Sequence, residues 1–593
     1  MSDPYGDDTP TGKFRLSFLA QLWPYARPYR RGFGACLLIL LASFGLELLG
    51  PHLLGKAIDG PMLAASASTD ERVGRLLPYA FGFLGVTALG ALLGFVYGQL
   101  TAWNGQRVVR DLRRALFDHL LRLPLAFHEK NPAGKLTTRV ASDVENLNEL
   151  IATGVLQSLF DLLKIVGVVV AMFFVDLRLA LFTLATTPIV VVLSMLFRRN
   201  AERAYRAVRG RMALQNAFAA ELVGGVRTTR AFGREAAIDA RYAERNRDTA
   251  TAWFDTVRHF SVFFSLIDLC LRATSIGLLW FGGSAVLEGR MQPGQFVTFW
   301  LYYQLLTGPI RELGEKYNVL QAAFASCERV FGLLDEPTFP IGGDTPSPRR
   351  GAARIEFDAV TFAYAQDAAA LRDVSFVVEP GTTTAIVGPT GSGKSTLLSL
   401  VARLRDVGSG QVRIDGDDVR NLRLSDVRRR VAYVAQDLFL FTGSVLDNLR
   451  LFDPKVEEER VWKALETVGA AEFVRRLDGG LHAPVQERGA TFSQGERQLL
   501  AFARALVADP DVLVLDEATS SIDSATEARL QSALASALRD RTAIVVAHRL
   551  STVKAAKQIL VLEQGQIREC GSHTELAARG GLYSRMLERA ETA

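Results

Sequence analysis

Cysteine is scarce in this chain. Cys36, Cys270, Cys327 and Cys570 are the only four among 593 residues, and no two stand at the spacing of a metal-binding pair. All four read as unpaired thiols, which suits a cytosolic or membrane setting better than a disulfide-stapled secreted one. A clustered basic tract is also lacking. The net charge is only +5, and the arginines that dominate the positive side are spread through both halves. That distribution suits solvated faces and membrane-flanking positives, and it argues against a nucleic-acid surface. No cleaved secretory leader is expected either. Asp3, Asp7 and Asp8 make the first residues polar, and the first apolar run, from about Gly32, is too long for a signal. That run is expected to be a retained membrane span. Finally, no long apolar run recurs after Leu334, although 22% of all residues are charged. An apolar half joined to a polar half explains both facts.

A bilayer core needs about 20 mostly apolar residues as helix. Six segments qualify or nearly so: 32–54, 77–103, 151–175, 179–197, 260–287 and 296–309, the last being the shortest. Arg27, Arg30 and Arg31 precede the first span. Arg107, Arg110, Arg113 and Arg114 follow the second, and Arg198, Arg199 and Arg203 follow the fourth. The positive-inside rule therefore puts the N-terminus in the cytoplasm, and six crossings bring the C-terminal half back to the same side. A multi-pass protein of the cytoplasmic membrane is expected. The stretches after spans two and four are polar but helical in pattern. Each has a glycine-containing break, at Asn131, Pro132, Ala133 and Gly134 in one and at Gly224 and Gly225 in the other, where antiparallel helices turn back.

Several ionisable residues fall within the spans. Glu47 lies in the first. Asp161 and Lys164 lie three apart in the third, and Asp268 and Arg272 four apart in the fifth. Those spacings let each pair share a helix face and neutralise itself. Intramembrane charges face bundle interiors or cavities, so these five are candidates for a substrate path, with helix packing as the plainer alternative.

The polar half carries a phosphate-binding pattern. Gly388, Pro389, Thr390, Gly391, Ser392, Gly393, Lys394 and Ser395, followed by Thr396, fit G-x-x-x-x-G-K-[ST] between a buried-strand pattern at 383–387 and a helical one at 396–404. Its glycines let backbone N–H groups wrap phosphates. Lys394 is expected at the β- and γ-phosphates of ATP, and Ser395 at a Mg²⁺ ion. Further on, Val512, Leu513, Val514 and Leu515 form a second buried-strand pattern ending in Asp516 and Glu517. Two acids after a strand also fit a helix cap. Beside a phosphate loop the catalytic reading is favoured: Asp516 for Mg²⁺ and Glu517 to polarise the attacking water.

Between these motifs, Phe492, Ser493, Gln494, Gly495, Glu496, Arg497 and Gln498 resemble the signature loop of ATP-binding cassette proteins, whose consensus is LSGGQ. The same family has a glutamine loop, matched by Gln436, a D-loop, matched by Asp523, a switch histidine, matched by His548, and an adenine-stacking aromatic, matched by Tyr364. With six spans ahead of the cassette, residues from about 20 to about 590 resemble the exporter branch of multidrug, lipid and peptide half-transporters. The resemblance implies an all-α membrane domain of six helices fused to an α/β P-loop nucleotide-binding domain. The expected divisions are a cytoplasmic segment 1–31, a membrane domain 32–334, a linker 335–350 and a cassette 351–593. It also implies that the two hairpin tips, near 131–134 and 223–227, are coupling helices that touch the cassettes, and that Gln436 and His548 sense the γ-phosphate.

The signature loop departs from the family's pattern at Phe492, Gln494 and Glu496 while keeping Ser493 and Gly495. In the family this loop closes over the partner's ATP, and Gln494 adds bulk where backbone must come close. Ser493 and Glu496 also fit S-x-x-E, so Glu496 is expected to fold back as a capping box. An intact Glu517 beside an altered signature favours a heterodimer with a second half-transporter, a homodimer being the alternative. The expected activity is ATP-driven export of a small amphipathic molecule, a drug or lipid ahead of a peptide. The competing class is an ATP-gated channel or regulatory membrane subunit.

Overall fold

The structure is a computed structural model that describes residues 17–63, 68–150, 156–340, 342–348, 351–364, 369–516, 524–547 and 549–592. These residues gather into two compact units. One comprises the chain up to Leu121 with Pro132–Glu336. The other comprises Arg122–Asn131 with the chain from Pro337 onward.

The first unit is helical. Its long elements are Arg30–Ala57, Thr69–Arg122, Leu156–Val175, Leu177–Gly224, Glu235–Leu287 and Pro293–Leu334. Those of 54, 48 and 53 residues are far longer than a bilayer core requires, so they continue as helix beyond it. Among the described residues, four helices are long and apolar enough to cross a membrane: Ala20–Met62, Thr69–Arg122, Gln157–Val175 and Glu235–Leu287. The expected fourth and sixth spans lie on the helices Leu177–Gly224 and Pro293–Leu334. Phe81, Leu84, Leu92 and Phe95 of the second span are exposed, as lipid-facing side chains are.

Small residues and buried hydroxyls join the helices where apolar contact alone gives no preference. Gly55 and Gly294 meet so closely that a Cβ on Gly294 would lie 2.0 Å from the Gly55 carbonyl. Beside them the Gly294 amide donates to Asp59 Oδ1 (2.6 Å). Tyr302 donates to the carbonyl of Leu48 (2.9 Å) and Tyr303 to that of Leu271 (2.7 Å), which ties Pro293–Leu334 to two neighbours. The helix Leu177–Gly224 stops at the paired glycines, and a short helix, Val226–Ala231, forms the turn before Glu235–Leu287. Phe197 stacks on Phe263 across that hairpin with ring centroids 3.9 Å apart.

The second unit is α/β. In chain order its strands are β1 (Ile355–Ala363), β2 (Ala369–Val378), β3 (Thr383–Val387), β4 (Ser409–Ile414), β5 (Asp417–Asp418), β6 (Val431–Val434), β7 (Gly443–Ser444), β8 (Pro484–Val485), β9 (Val512–Asp516), β10 (Thr542–Val546), β11 (Gln558–Glu563) and β12 (Gln566–Gly571). One sheet has the order β2-β1-β4-β5, a second β12-β11-β3-β10-β9-β6, and a third pairs β7 with β8. In the second sheet β11, β3, β10, β9 and β6 run parallel, with β12 antiparallel at one edge. β9 and β10 are buried at every residue, as strands covered on both faces must be. The short helix Leu125–Lys130 belongs to this unit.

Candidate nucleotide site and intramembrane charges

Parallel sheets place ligands at the carboxyl ends of their strands. Ile386 on β3, Val546 on β10 and Asp516 on β9 are level with one another. The loop after β3 and the acid ending β9 therefore share one edge. Gly391 and Gly393 of that loop have φ of +80° and +104°, and a Cβ on Gly393 would lie 2.6 Å from the Ala370 carbonyl. Only glycine fits there. The helix Lys394–Val401 starts at this turn, with its N-terminal amides and dipole at the loop.

Lys394 bends over the loop, its Nζ donating to the carbonyls of Gly388 (2.8 Å) and Pro389 (2.9 Å). Burial lowers its pKa below the ordinary lysine value, with the Asp516 carboxylate pulling the other way. Ser392 Oγ is buried with no hydrogen-bond partner, whereas its carbonyl accepts from the Gly565 amide (3.1 Å). A tight glycine cradle, a helix N-terminus, a cation and an unsatisfied hydroxyl fit a polyphosphate. Ser395 is exposed at the same edge, while Thr396 is buried and bonded to Tyr364, Oγ1 to Oη 2.8 Å. Tyr433, beside Asp516 and Tyr364, has its phenol pushed up to about 12, first by burial and then by those neighbours.

Ser493 caps the helix Gln494–Val507. Its Oγ accepts from the Glu496 amide (3.3 Å), and Glu496 Oε2 accepts from the Ser493 amide (2.8 Å), the capping box read from the sequence. Gly495 is buried just inside. Gln494 lines a cavity of about 30 Å³ with Gln436, Gln498, Leu515 and Asp516 of the same chain. The structure thus joins Gln436, the start of the helix Gln494–Val507 and the acid of β9 within one unit. Glu517, Asp523 and His548 lie outside the described residues.

The intramembrane charges divide differently from the sequence expectation. Asp268 and Arg272 do pair along one helix, Oδ2 to Nε 2.5 Å. Lys164, expected to be neutralised by Asp161, instead reaches Glu47 on the helix Arg30–Ala57, Nζ to Oε2 2.5 Å. Asp161 is buried and accepts from Gln157 (3.3 Å). Sequence spacing showed neighbours along a helix and carried no signal for a partner on another one.

Sequence reasoning also missed two clusters. Asp143, buried in a π-helical turn at Arg139–Asp143, accepts from Arg329 Nε (2.9 Å) and Ser326 Oγ (3.0 Å) of the last long helix. In the other unit the Arg405 guanidinium carbon sits 4.7 Å from the Tyr364 ring centroid and pairs with Glu129 of Leu125–Lys130.

Family models for the ABC transporter transmembrane region and the ABC transporter domain match residues 33–310 and 371–520. The uncharacterized ABC transporter ATP-binding protein YknV of Bacillus subtilis is 35% identical, over 96% of this chain and 94% of its own. The ATP-dependent lipid A-core flippase of Nitrosococcus oceani is 31% identical, over 97% and 96%. A solved bacterial Atm1-family ABC exporter with ATP bound superposes with a TM-score of 0.78 at 28% identity, covering 95% of this chain and 98% of that one. The chain belongs to the ABC transporter family. It is an integral membrane protein of the exporter type, a helical transmembrane domain fused to an ATP-binding cassette, and an ATPase coupled to transport.

Proposed function

We propose that the chain is one half of a dimeric exporter that moves an amphipathic lipid or drug out of the cytoplasmic leaflet, with its N-terminus and cassette in the cytoplasm. The observation that carries this reading is the phosphate cradle of Gly391, Gly393 and Lys394, with the Asp516 carboxylate acting on Lys394, in a chain whose other half is long apolar helices. The flippase relative supports a lipid, as do the neutralised intramembrane pairs Glu47–Lys164 and Asp268–Arg272.

Tyr364 stacks the adenine, and the loop amides and Lys394 hold the phosphates. Ser395, Gln436 and Asp516 would hold Mg²⁺, which would offset the phosphate charge. Glu517 orients the attacking water, with His548 and Asp523 completing the site. Ser493 faces the partner's nucleotide. The altered Gln494 and intact Glu517 favour a heterodimer in which this chain supplies the catalytic glutamate and its partner the better signature loop.

The test is ATP-dependent flipping of a fluorescent phospholipid in vesicles reconstituted with the complex purified through a tag on this chain. Flipping that stops in Glu517→Gln, with ATP binding retained, supports the reading; flipping unaffected by that substitution refutes it. Native mass spectrometry of the same complex decides the partner. A second chain of similar mass supports the heterodimer, and two copies of this chain overturn it.

A further inference from the structure

Arg405 is nearly buried, with only 9% of its side chain exposed, and it has two partners of different kinds. Its guanidinium carbon lies 4.7 Å from the Tyr364 ring centroid, within the range of about 6 Å for a cation–π contact. Its Nη2 pairs with Glu129 Oε2 on the short helix Leu125–Lys130. Tyr364 is held at the other end by Thr396, in the first turn of the phosphate-loop helix, Oη to Oγ1 2.8 Å. Tyr364 as a whole is nonetheless 38% exposed, so part of its surface stays open although the guanidinium covers another part.

We propose that Arg405 is a positioning residue that links the adenine platform Tyr364 to the helix Leu125–Lys130, so that nucleotide occupancy reaches that helix through Tyr364, Arg405 and Glu129. The inference rests on the reading of Tyr364 as the adenine platform. A base laid on the open part of the ring excludes water from the Arg405–Tyr364 contact and strengthens it. A guanidinium is planar and forked, so fixing it on the ring also fixes the direction in which it meets Glu129. Lysine, a compact charge on a flexible stem, makes the ion pair without the stacking. Linkage is reciprocal: if ATP steadies this helix, steadying the helix tightens ATP. The helix lies in the chain directly after Thr69–Arg122, which carries the second span, so the signal has a covalent route to the membrane.

The test is amide hydrogen exchange on the full-length complex, with and without ATP, in the Glu517→Gln background. ATP is expected to slow exchange across residues 125–130 by about threefold or more. Arg405→Leu and Glu129→Gln, which break the link from opposite sides, are each expected to abolish that slowing while ATP still protects the phosphate loop. Arg405→Lys is expected to retain only part of it. Slowing across 125–130 that persists in both Arg405→Leu and Glu129→Gln overturns the inference. Tyr364→Ala separates the two readings. Unchanged ATP affinity in that variant overturns the platform itself, whereas lost affinity with persistent slowing in the other two overturns the Arg405 link alone.

Discussion

Lys164 of the third span and Glu47 of the first are joined across two helices, with Nζ 2.5 Å from Oε2. Lys164 is the more buried partner, 16% exposed against 40%. Removing Glu47 therefore leaves a desolvated ammonium without its counter-charge. Breaking a fully buried pair costs about 3–5 kcal/mol, and partial exposure of Glu47 reduces that to roughly 1–3 kcal/mol here. Glu47→Gln is expected to lower the melting temperature in detergent, and Glu47→Gln with Lys164→Met to recover most of the loss. Additive losses in the double variant would show that the two side chains do not act as a pair.

Asp268 and Arg272 neutralise each other along one helix, and 75% of the Arg272 side chain is exposed. A pair that is not packed between helices contributes little to holding them together. A role in the substrate path then has a distinct signature. Asp268→Asn is expected to change lipid-stimulated ATP hydrolysis more than basal hydrolysis, with little change in melting temperature. Equal effects on both rates assign the pair to packing.

Ser493 and Glu496 close a reciprocal cap on the signature helix. Ser493→Ala is expected to destabilise the protein by about 1 kcal/mol. Glutamine also completes a capping box, so Glu496→Gln is expected to leave the melting temperature and ATP turnover near their original values. A several-fold gain in turnover in Glu496→Gln would show that the carboxylate acts on nucleotide rather than on its own helix.

Asp143 is held by Arg329 and Ser326, and Ser326 accepts a further bond from Asn146 (3.0 Å). The Asp143 side chain is 6% exposed and that of Arg329 28%. Arg329→Ala strands a buried carboxylate and is expected to cost about 3 kcal/mol, read as earlier thermal unfolding. Adding Asp143→Asn, which removes the stranded charge, is expected to restore part of it. No recovery would mean that the arginine acts through its stem packing.

Much of the nucleotide site was legible because its signals are local. Glycines at Gly391 and Gly393 answer to backbone dihedral angles and to the Ala370 carbonyl, and the apolar runs of β3 and β9 on either side mark buried strands. The S-x-x-E spacing of Ser493 and Glu496 foretold their hydrogen bonds because a helix start fixes which amides are within reach. The first hairpin tip was only roughly legible. The sequence pointed to the break at Asn131 to Gly134, whereas the helix that groups with the cassette is Leu125–Lys130, immediately before it.

The sequence by itself determined an apolar half with long spans, the phosphate loop with its lysine, the acid at the end of β9 and the i,i+4 pair Asp268–Arg272. All of these follow from spacing within one strand, turn or helix. Tertiary structure alone decided that Lys164 meets Glu47, that Asp143 meets Arg329, that Gln494 shares a cavity with Gln436, and that Arg405 lies between Tyr364 and Glu129. Each of these contacts joins elements far apart in the chain. Which side chains meet there depends on the rotation and register with which whole helices and loops pack, and no local periodicity encodes that.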